Sequence, residues 1–356
     1  MKQHDWYLNG TILFLVAASL IILSSINAEI FWQQLVWVLI SLTLIAVFSL
    51  IDWRPLVNHK WVIVSIYLAA ILLLLITFFF APTIRGTRSW LVFGGVQLQT
   101  SELAKLALII LFAYFFAKRH IGIARLSVLF KSFLYFVIPF GFVLIQPDLG
   151  SALIIFSIWL GFLLVSGIRW RHIIVGCLIF AVIGIWGWQN VLKDYQRDRI
   201  SAFLNPDTAT LGINYGVIQS KIAVGSAGFF GKGYGQGTQV QLGFLPEAST
   251  DFILSAFIEE WGLLGGILVI GAFVLLLLRI ARVGFRSNNN FGRLVALGTV
   301  IMFLAQFIIN TGSALGFLPV IGVTFPFLSY GGSSIIANSI LVGIIQSIAS
   351  RSTFLR

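Results

Sequence analysis

Ten long apolar segments tile almost the whole chain, and that pattern leaves few folds open to it. A helix needs about 20 apolar residues to cross a hydrocarbon core. The qualifying stretches run roughly over 9–27, 31–51, 61–80, 101–117, 128–146, 150–168, 172–190, 252–278, 294–317 and 333–350. In lipid only helices and closed barrels satisfy every backbone N–H and C=O. Runs of this length predict an all-α, polytopic integral membrane protein with about ten transmembrane helices. Composition matters here only for the solvent. Hydrophobic residues make up 59% of the chain and charged residues 10%, against about a quarter charged in soluble proteins. We read residues 1–356 as a single transmembrane domain, with a large loop over about 191–251 between helices seven and eight. The first stretch has a thin basic flank and no convincing small-residue cleavage site, so it reads as a span and not a signal peptide.

The net charge of +11 would suggest nucleic acid in a soluble protein, but here the basic residues follow membrane topology. One set of alternate loops and ends holds Lys2, Arg54, Lys60, Lys118, Arg119, Arg125, Lys131, Arg169, Arg171, Arg279, Arg282, Arg286, Arg293, Arg351 and Arg356. The opposite short loops hold only Arg85 and Arg88. The excess marks the cytoplasmic side, which places both termini inside and the 81–100, 191–251 and 318–332 segments outside. Trp32, Trp53, Trp61 and Trp170 fall near span ends, as interfacial aromatics do. No nucleic-acid partner is expected. A single cysteine, Cys177, allows neither an intrachain disulfide nor a cysteine metal cluster.

The unusual residues gather on the outer side. They lie in APTIRGTRSWLVFGGVQLQTSELAK (81–105), QPDLGS (146–151), the glycine-rich 212–262 segment and NTGSALGFLPVIGVTFPFLSYGGSS (310–334). Glycine and proline at this density mean turns and re-entrant backbone, which membrane depth tolerates only around a protein cavity. Of the twelve acidic residues, Glu102, Asp148, Glu247, Asp251, Glu259 and Glu260 lie within or beside spans. Each needs a partner or a water-filled cavity. Glu102 and Lys105 share a helix face and form either a structural ion pair or an anion site. Asp148 either caps the next helix or meets a substrate or cation. Asp251 is either an acidic group favoured by a helix dipole or a general base. If the helix extends through it, Asp251 shares a direction with Glu259, two turns on. Arg85 and Arg88 beside Trp90 suit a phosphate that carries an apolar chain, and solvated loop charges are the alternative. Walker A, HExxH and Cys/His zinc spacings are absent, and GKGYGQG (231–237) follows no strand.

Together these motifs resemble the family that includes RodA, FtsW and SpoVE. The likeness is carried by RSWLVFGG, SELAKLALI, QPDLG, QSKIAVGSAGFFGKGYGQGTQ, FLPEASTDFI, EEWGLLG and LPVIGVTFPFLSYGGSS, in that order. The short N-terminus and the GTQ…FLPE stretch sit closer to the RodA branch. Thr100 stands where Pro is usual, Ser249 where His is common, and Phe325 where Leu is usual.

The resemblance implies a peptidoglycan glycosyltransferase of cell elongation and cell shape in the bacterial cytoplasmic membrane. Such an enzyme polymerises lipid II, a disaccharide-pentapeptide on undecaprenyl pyrophosphate. Its implied partners are a class B penicillin-binding protein, other elongation-machinery proteins and membrane lipid. It implies Asp251 as the essential catalytic aspartate. Arg85, Arg88, Trp90, Glu102, Lys105, Asp148, Glu247, Ser329 and Ser333 are the implied substrate-binding residues. A divalent cation, Mg or Mn, is the one cofactor candidate. Two other readings are a lipid II flippase, which calls for internal repeats and a midplane site, and a non-catalytic scaffold for the penicillin-binding protein.

Overall fold

The structure is a computed structural model that describes residues 5–53, 55, 59–84, 86–94, 96–118, 126–167 and 214–351, with a few single positions between 171 and 201. Its elements are α1 (Trp6–Ile26), α2 (Ala28–Leu50), α3 (Lys60–Phe80), β1 (Trp90–Phe93), β2 (Val96–Gln99), α4 (Thr100–Ala117), α5 (Leu126–Ile145), α6 (Leu149–Val165), α7 (Tyr215–Ser226), α8 (Thr238–Gln241), α9 (Ile253–Arg286), α10 (Asn290–Ala314) and α11 (Gly332–Arg351). Eight of these helices are long and apolar enough to cross a membrane, and α6 is a shorter apolar helix. They match nine of the ten expected spans. The seventh, 172–190, falls almost wholly outside the described residues, as do Cys177, Trp170 and most of 191–213.

Polar caps set the helix ends. The Asp5 side chain accepts from Leu8 N at 3.1 Å and starts α1. Asn27 ends α1 through its backbone N–H to Leu23 O and starts α2 by accepting from Glu29 N at 2.7 Å. One residue thus turns the chain between two antiparallel spans.

The span windows of α4 and α11 are each 83% buried, while that of α2 is 22% and that of α3 28%. The first two are therefore the core of the bundle, and the others wrap it with apolar faces outward. Leu39, Leu68, Leu72, Phe79, Leu153, Leu268 and Leu278 are exposed on those faces, as expected where the solvent is lipid. The chain is a multi-pass membrane protein. Association in lipid depends on close packing. A Cβ on Gly298 of α10 would come 2.8 Å from Ile109 of α4 and Phe162 of α6, so the missing side chain lets three helices meet. Phe112, Phe116 and Phe162 continue that contact as a ring cluster.

α9 is not one helix. Gly262 sits at φ 74°, ψ 179° and breaks it near the first third. The glycine-rich segment after α7 threads the break. Lys232 N and Gly233 N donate to Glu259 O and Glu260 O at 2.9 and 3.0 Å, and Leu263 N and Leu264 N donate to Gly228 O and Phe229 O at 3.1 Å each. Both freed helix ends are thus satisfied by protein, the condition for irregular backbone at membrane depth. A Cβ at Gly262 would lie 2.2 Å from Phe229 O, and one at Gly231 2.2 Å from Glu260 O. Only glycine allows the crossing.

Candidate active site

The β1–β2 hairpin, with Trp90 opposite Gln99, delivers the chain into α4. At that corner Asp148 caps α6, its Oδ1 accepting from Ser151 N at 3.0 Å. Its Oδ2 accepts from Gln99 Nε2 at 2.9 Å and lies 3.5 Å from Ser101 Oγ, which is itself 3.0 Å from Ser151 Oγ. The capping alternative therefore holds, and the same carboxylate also binds the hairpin to α4 and α6. Ser333, at the start of α11, accepts from Gln99 N at 2.8 Å and donates to Gln97 O at 3.2 Å. It is a strut between hairpin and helix. Arg88 N donates to Gln146 O at 3.3 Å and ties the RSW segment to the α5–α6 corner.

Asp251 lies on a turn just before α9. The chain turns at Glu247, which sits at φ 50°, and Glu247 O accepts from Thr250 N and Phe252 N at 3.1 and 3.2 Å. Thr250 Oγ1 also donates to Glu247 Oε2 at 3.1 Å. Three successive carbonyls are then held from outside the turn. Ser249 O accepts from Tyr330 N at 2.9 Å, Thr250 O from Ser329 Oγ at 2.7 Å, and Asp251 O from Asn310 Nδ2 at 3.1 Å. Ser329 is itself fixed by Phe325 N at 2.9 Å, and Asn310 donates a second bond to Val323 O at 2.8 Å. Burial, and secondarily Glu29, raise the Tyr330 phenol above its ordinary pKa, so it stays a donor to Gln33 Oε1 at 2.6 Å.

The helix starts at Ile253, with Phe252 as its N-cap and no side-chain cap bond. Asp251 is therefore neither the cap nor a first-turn residue, and it is half-buried. The expected shared face with Glu259 does not form, because the helix does not reach back to 251. Glu259 is fully buried and committed elsewhere. It accepts from Lys232 Nζ at 2.7 Å, Gln239 N at 3.0 Å and Thr238 Oγ1 at 3.2 Å. Its neighbour Glu260 receives Ser25 Oγ of α1 and, at 3.3 Å, Gln241 Nε2. Both carboxylates hold the α9 break together.

Arg88 is exposed, and its Nε donates to Thr83 Oγ1 at 3.0 Å. Its two Nη groups have no partner among the described residues. Trp90 is half-buried beside it, and Arg85 lies outside the described residues. Glu102 and Lys105 form the expected ion pair at 2.6 Å, with Glu102 4% and Lys105 2% exposed. Lys105 is therefore engaged inside the protein. Among the described residues no three His, Cys, Asp or Glu side chains converge on a metal-sized space.

Gln99, Ser101, Ser151, Thr250, Asn310 and Lys232 complete this layer without having been singled out in the sequence. Asn310 carried a usable signal, since an amide inside an apolar span demands a partner.

A family model described as cell cycle protein, FtsW/RodA/SpoVE, matches residues 6–353. The peptidoglycan glycosyltransferase MrdB of Escherichia coli (strain K12) is 34% identical over 341 residues, covering 94% of this chain and 90% of MrdB. A solved structure on the coordination of polymerization and crosslinking by a peptidoglycan synthase complex superimposes with a TM-score of 0.85 at 32% identity, covering 99% of each chain. The rod shape determining protein RodA of Thermus thermophilus gives 0.73 at 28% identity, covering 99% of this chain and 98% of that one. The family-model match over nearly the whole chain, the 34% identity to MrdB and the shared architecture place this chain in the FtsW/RodA/SpoVE family of peptidoglycan glycosyltransferases.

Proposed function

We propose that the chain polymerises lipid II at the outer face of the bacterial cytoplasmic membrane, with Asp251 as general base. The single observation behind the role of Asp251 is the clamp on its backbone. Three consecutive carbonyls are fixed from two other elements, while the residue is excused from helix capping. A half-buried carboxylate on an immobilised backbone is what a base needs in order to meet one hydroxyl repeatedly.

In the proposed step the sugar 4-hydroxyl of one lipid II attacks the anomeric carbon of the growing chain. The new C–O bond forms as the bond to undecaprenyl pyrophosphate breaks. The hydroxyl proton passes to Asp251, the pyrophosphate leaves with the bonding pair, and the anomeric carbon inverts from α to β. Charge grows on the leaving group, so a positioned cation lowers the barrier. Arg88, exposed and with two Nη groups free of protein partners among the described residues, supplies it. Trp90 offers an apolar surface beside it. Ser329, Ser333, Asp148 and Glu247 act by holding the segments that carry Asp251 and Arg88.

The reading extends to a class B penicillin-binding protein as partner, since a neighbouring structure belongs to a synthase complex of polymerization and crosslinking. A role in elongation, with both termini cytoplasmic, rests on the RodA-like motifs and on the loop charges. The test is polymerisation of labelled lipid II by the purified chain with its cognate penicillin-binding protein. Wild type should make glycan and an equally stable Asp251→Asn none. Equal product from both would remove Asp251 from the chemistry.

A further inference from the structure

The far end of α9 carries a second constellation that this reaction does not use. Asp251 lies just before the helix. The last turns hold Arg279, Arg282 and Arg286, about 26 to 36 Å beyond the break at 1.5 Å per residue. There Asp5, at the start of α1, accepts from Arg279 Nη2 through both oxygens, at 2.8 and 2.9 Å. The Arg279 guanidinium also lies over the Tyr7 ring, 4.5 Å from its centroid. Its Nε is buried without a partner among the described residues.

Directly beside this pair, α1 and α9 leave a cavity of about 460 Å³ lined by Trp6, Tyr7, Gly10, Phe14, Ala272 and Leu275. Thr11 also lines it, but its hydroxyl donates to Leu8 O at 2.8 Å, so the surface offered to a ligand is almost wholly apolar and suits an alkyl chain better than water. Along α9 the residues Ala272, Leu275, Arg279, Arg282 and Arg286 follow one another at three- or four-residue steps, which keeps them on one helix face. The stripe that walls the cavity therefore continues into a ladder of three guanidiniums. Arg282 is exposed and Arg286 half-buried, and neither has a partner among the described residues. Trp6, Tyr7 and Phe285 are exposed around them, as aromatic side chains at a membrane interface are.

We propose that this groove binds one anionic phospholipid, with an acyl chain between α1 and α9 and the phosphate on Arg282 and Arg286. Arg279 is neutralised by Asp5 and serves to hold α1 against α9 behind the phosphate, so the charge on the headgroup is met by Arg282 and Arg286. Basic pockets between membrane helices recognise acidic headgroups in this way, and the planar guanidinium fork suits two phosphate oxygens. A zwitterionic lipid would bring its own cation against the ladder. A partner helix would have to bury the exposed Arg282 guanidinium beside an apolar cavity, at a desolvation penalty the lipid avoids.

The test is native mass spectrometry of the full chain purified in detergent and titrated with phosphatidylglycerol or phosphatidylcholine. Wild type should retain one phosphatidylglycerol at concentrations about tenfold below those needed for phosphatidylcholine, the preference expected of a basic headgroup pocket. R282A/R286A should lose that preference and bind the two lipids alike. Gly10→Phe should lose both, because a Cβ at Gly10 meets open space and the larger ring fills the cavity. Equal retention of both lipids by wild type would overturn the proposal. So would a Gly10→Phe chain that keeps phosphatidylglycerol as tightly as wild type, which would place the lipid elsewhere on the surface.

Discussion

Ser329→Ala isolates the clamp on Asp251 from the chemistry of Asp251. The hydroxyl donates to Thr250 O at 2.7 Å and accepts from Phe325 N at 2.9 Å, and the residue is 4% exposed. Alanine fits the same space but leaves a part-buried acceptor, Thr250 O, and a buried donor, Phe325 N, unsatisfied. At about 1–3 kcal/mol each, the loss is about 2–6 kcal/mol if nothing relaxes. The turn can recover part of it by moving Thr250 toward other donors, and that movement carries Asp251 with it. A misplacement of about 1 Å at a reacting group lowers the rate roughly 100-fold. Stability and rate should therefore fall together. The assay pairs lipid II polymerisation with the thermal midpoint in detergent. Ser333→Ala serves as comparison, since it loosens the hairpin and not the Asp251 turn. We expect polymerisation by Ser329→Ala to drop at least tenfold below that of Ser333→Ala at equal folded fraction, about 1.4 kcal/mol of barrier. A Ser329→Ala chain that is destabilised yet polymerises at the wild-type rate per folded molecule would refute the reasoning.

Three further outcomes follow from particular contacts. Lys105→Met should lower stability by about 3–5 kcal/mol, because it leaves Glu102 charged and buried, while Glu102→Gln/Lys105→Met should recover most of that loss in thermal melts. Gly262→Ala should destabilise severely, since its Cβ would stand 2.2 Å from Phe229 O at a φ of 74°, and protease sensitivity in the 228–243 segment should rise with it. The raised Tyr330 pKa favours the protonated phenol in the folded state, so its contribution is intact below the unfolded value of about 10 and is lost as pH rises through the higher folded value. Melting temperature should therefore show no Tyr330-dependent slope from pH 7 to 9, and Tyr330→Phe should remove a downward slope above about pH 10.

What the sequence made legible divides along a physical line. Span length and hydropathy act locally, so nine spans could be placed, eight of them within a few residues at both ends, while α9 runs to Arg286, eight residues past the expected end at 278. Asp148 could be recognised as a cap because a cap needs only its own next turn. The clamp on Asp251 could not, because Asn310 and Ser329 lie 59 and 79 residues beyond the carbonyls they hold. The break in α9 was hidden for a related reason. Residues 252–278 read as one apolar span, and a lone glycine inside such a run is tolerated more often than it is structural. What makes Gly262 a break is the 228–233 segment arriving from elsewhere in the chain to satisfy Glu259 O, Glu260 O, Leu263 N and Leu264 N. The same arrival pairs Glu259 with Lys232. The density of glycine in 225–243 and the two acidic residues of the Glu259-Glu260-Trp261-Gly262 run were the visible signs of that crossing. Read together they specify a half-helix from Ile253 to Trp261 with a satisfied C-terminal end, which leaves Asp251 on a fixed turn and not on a helix. The base is thus positioned by hydrogen bonds to its backbone, and its placement should fail through Ser329 and Asn310 before it fails through any carboxylate nearby.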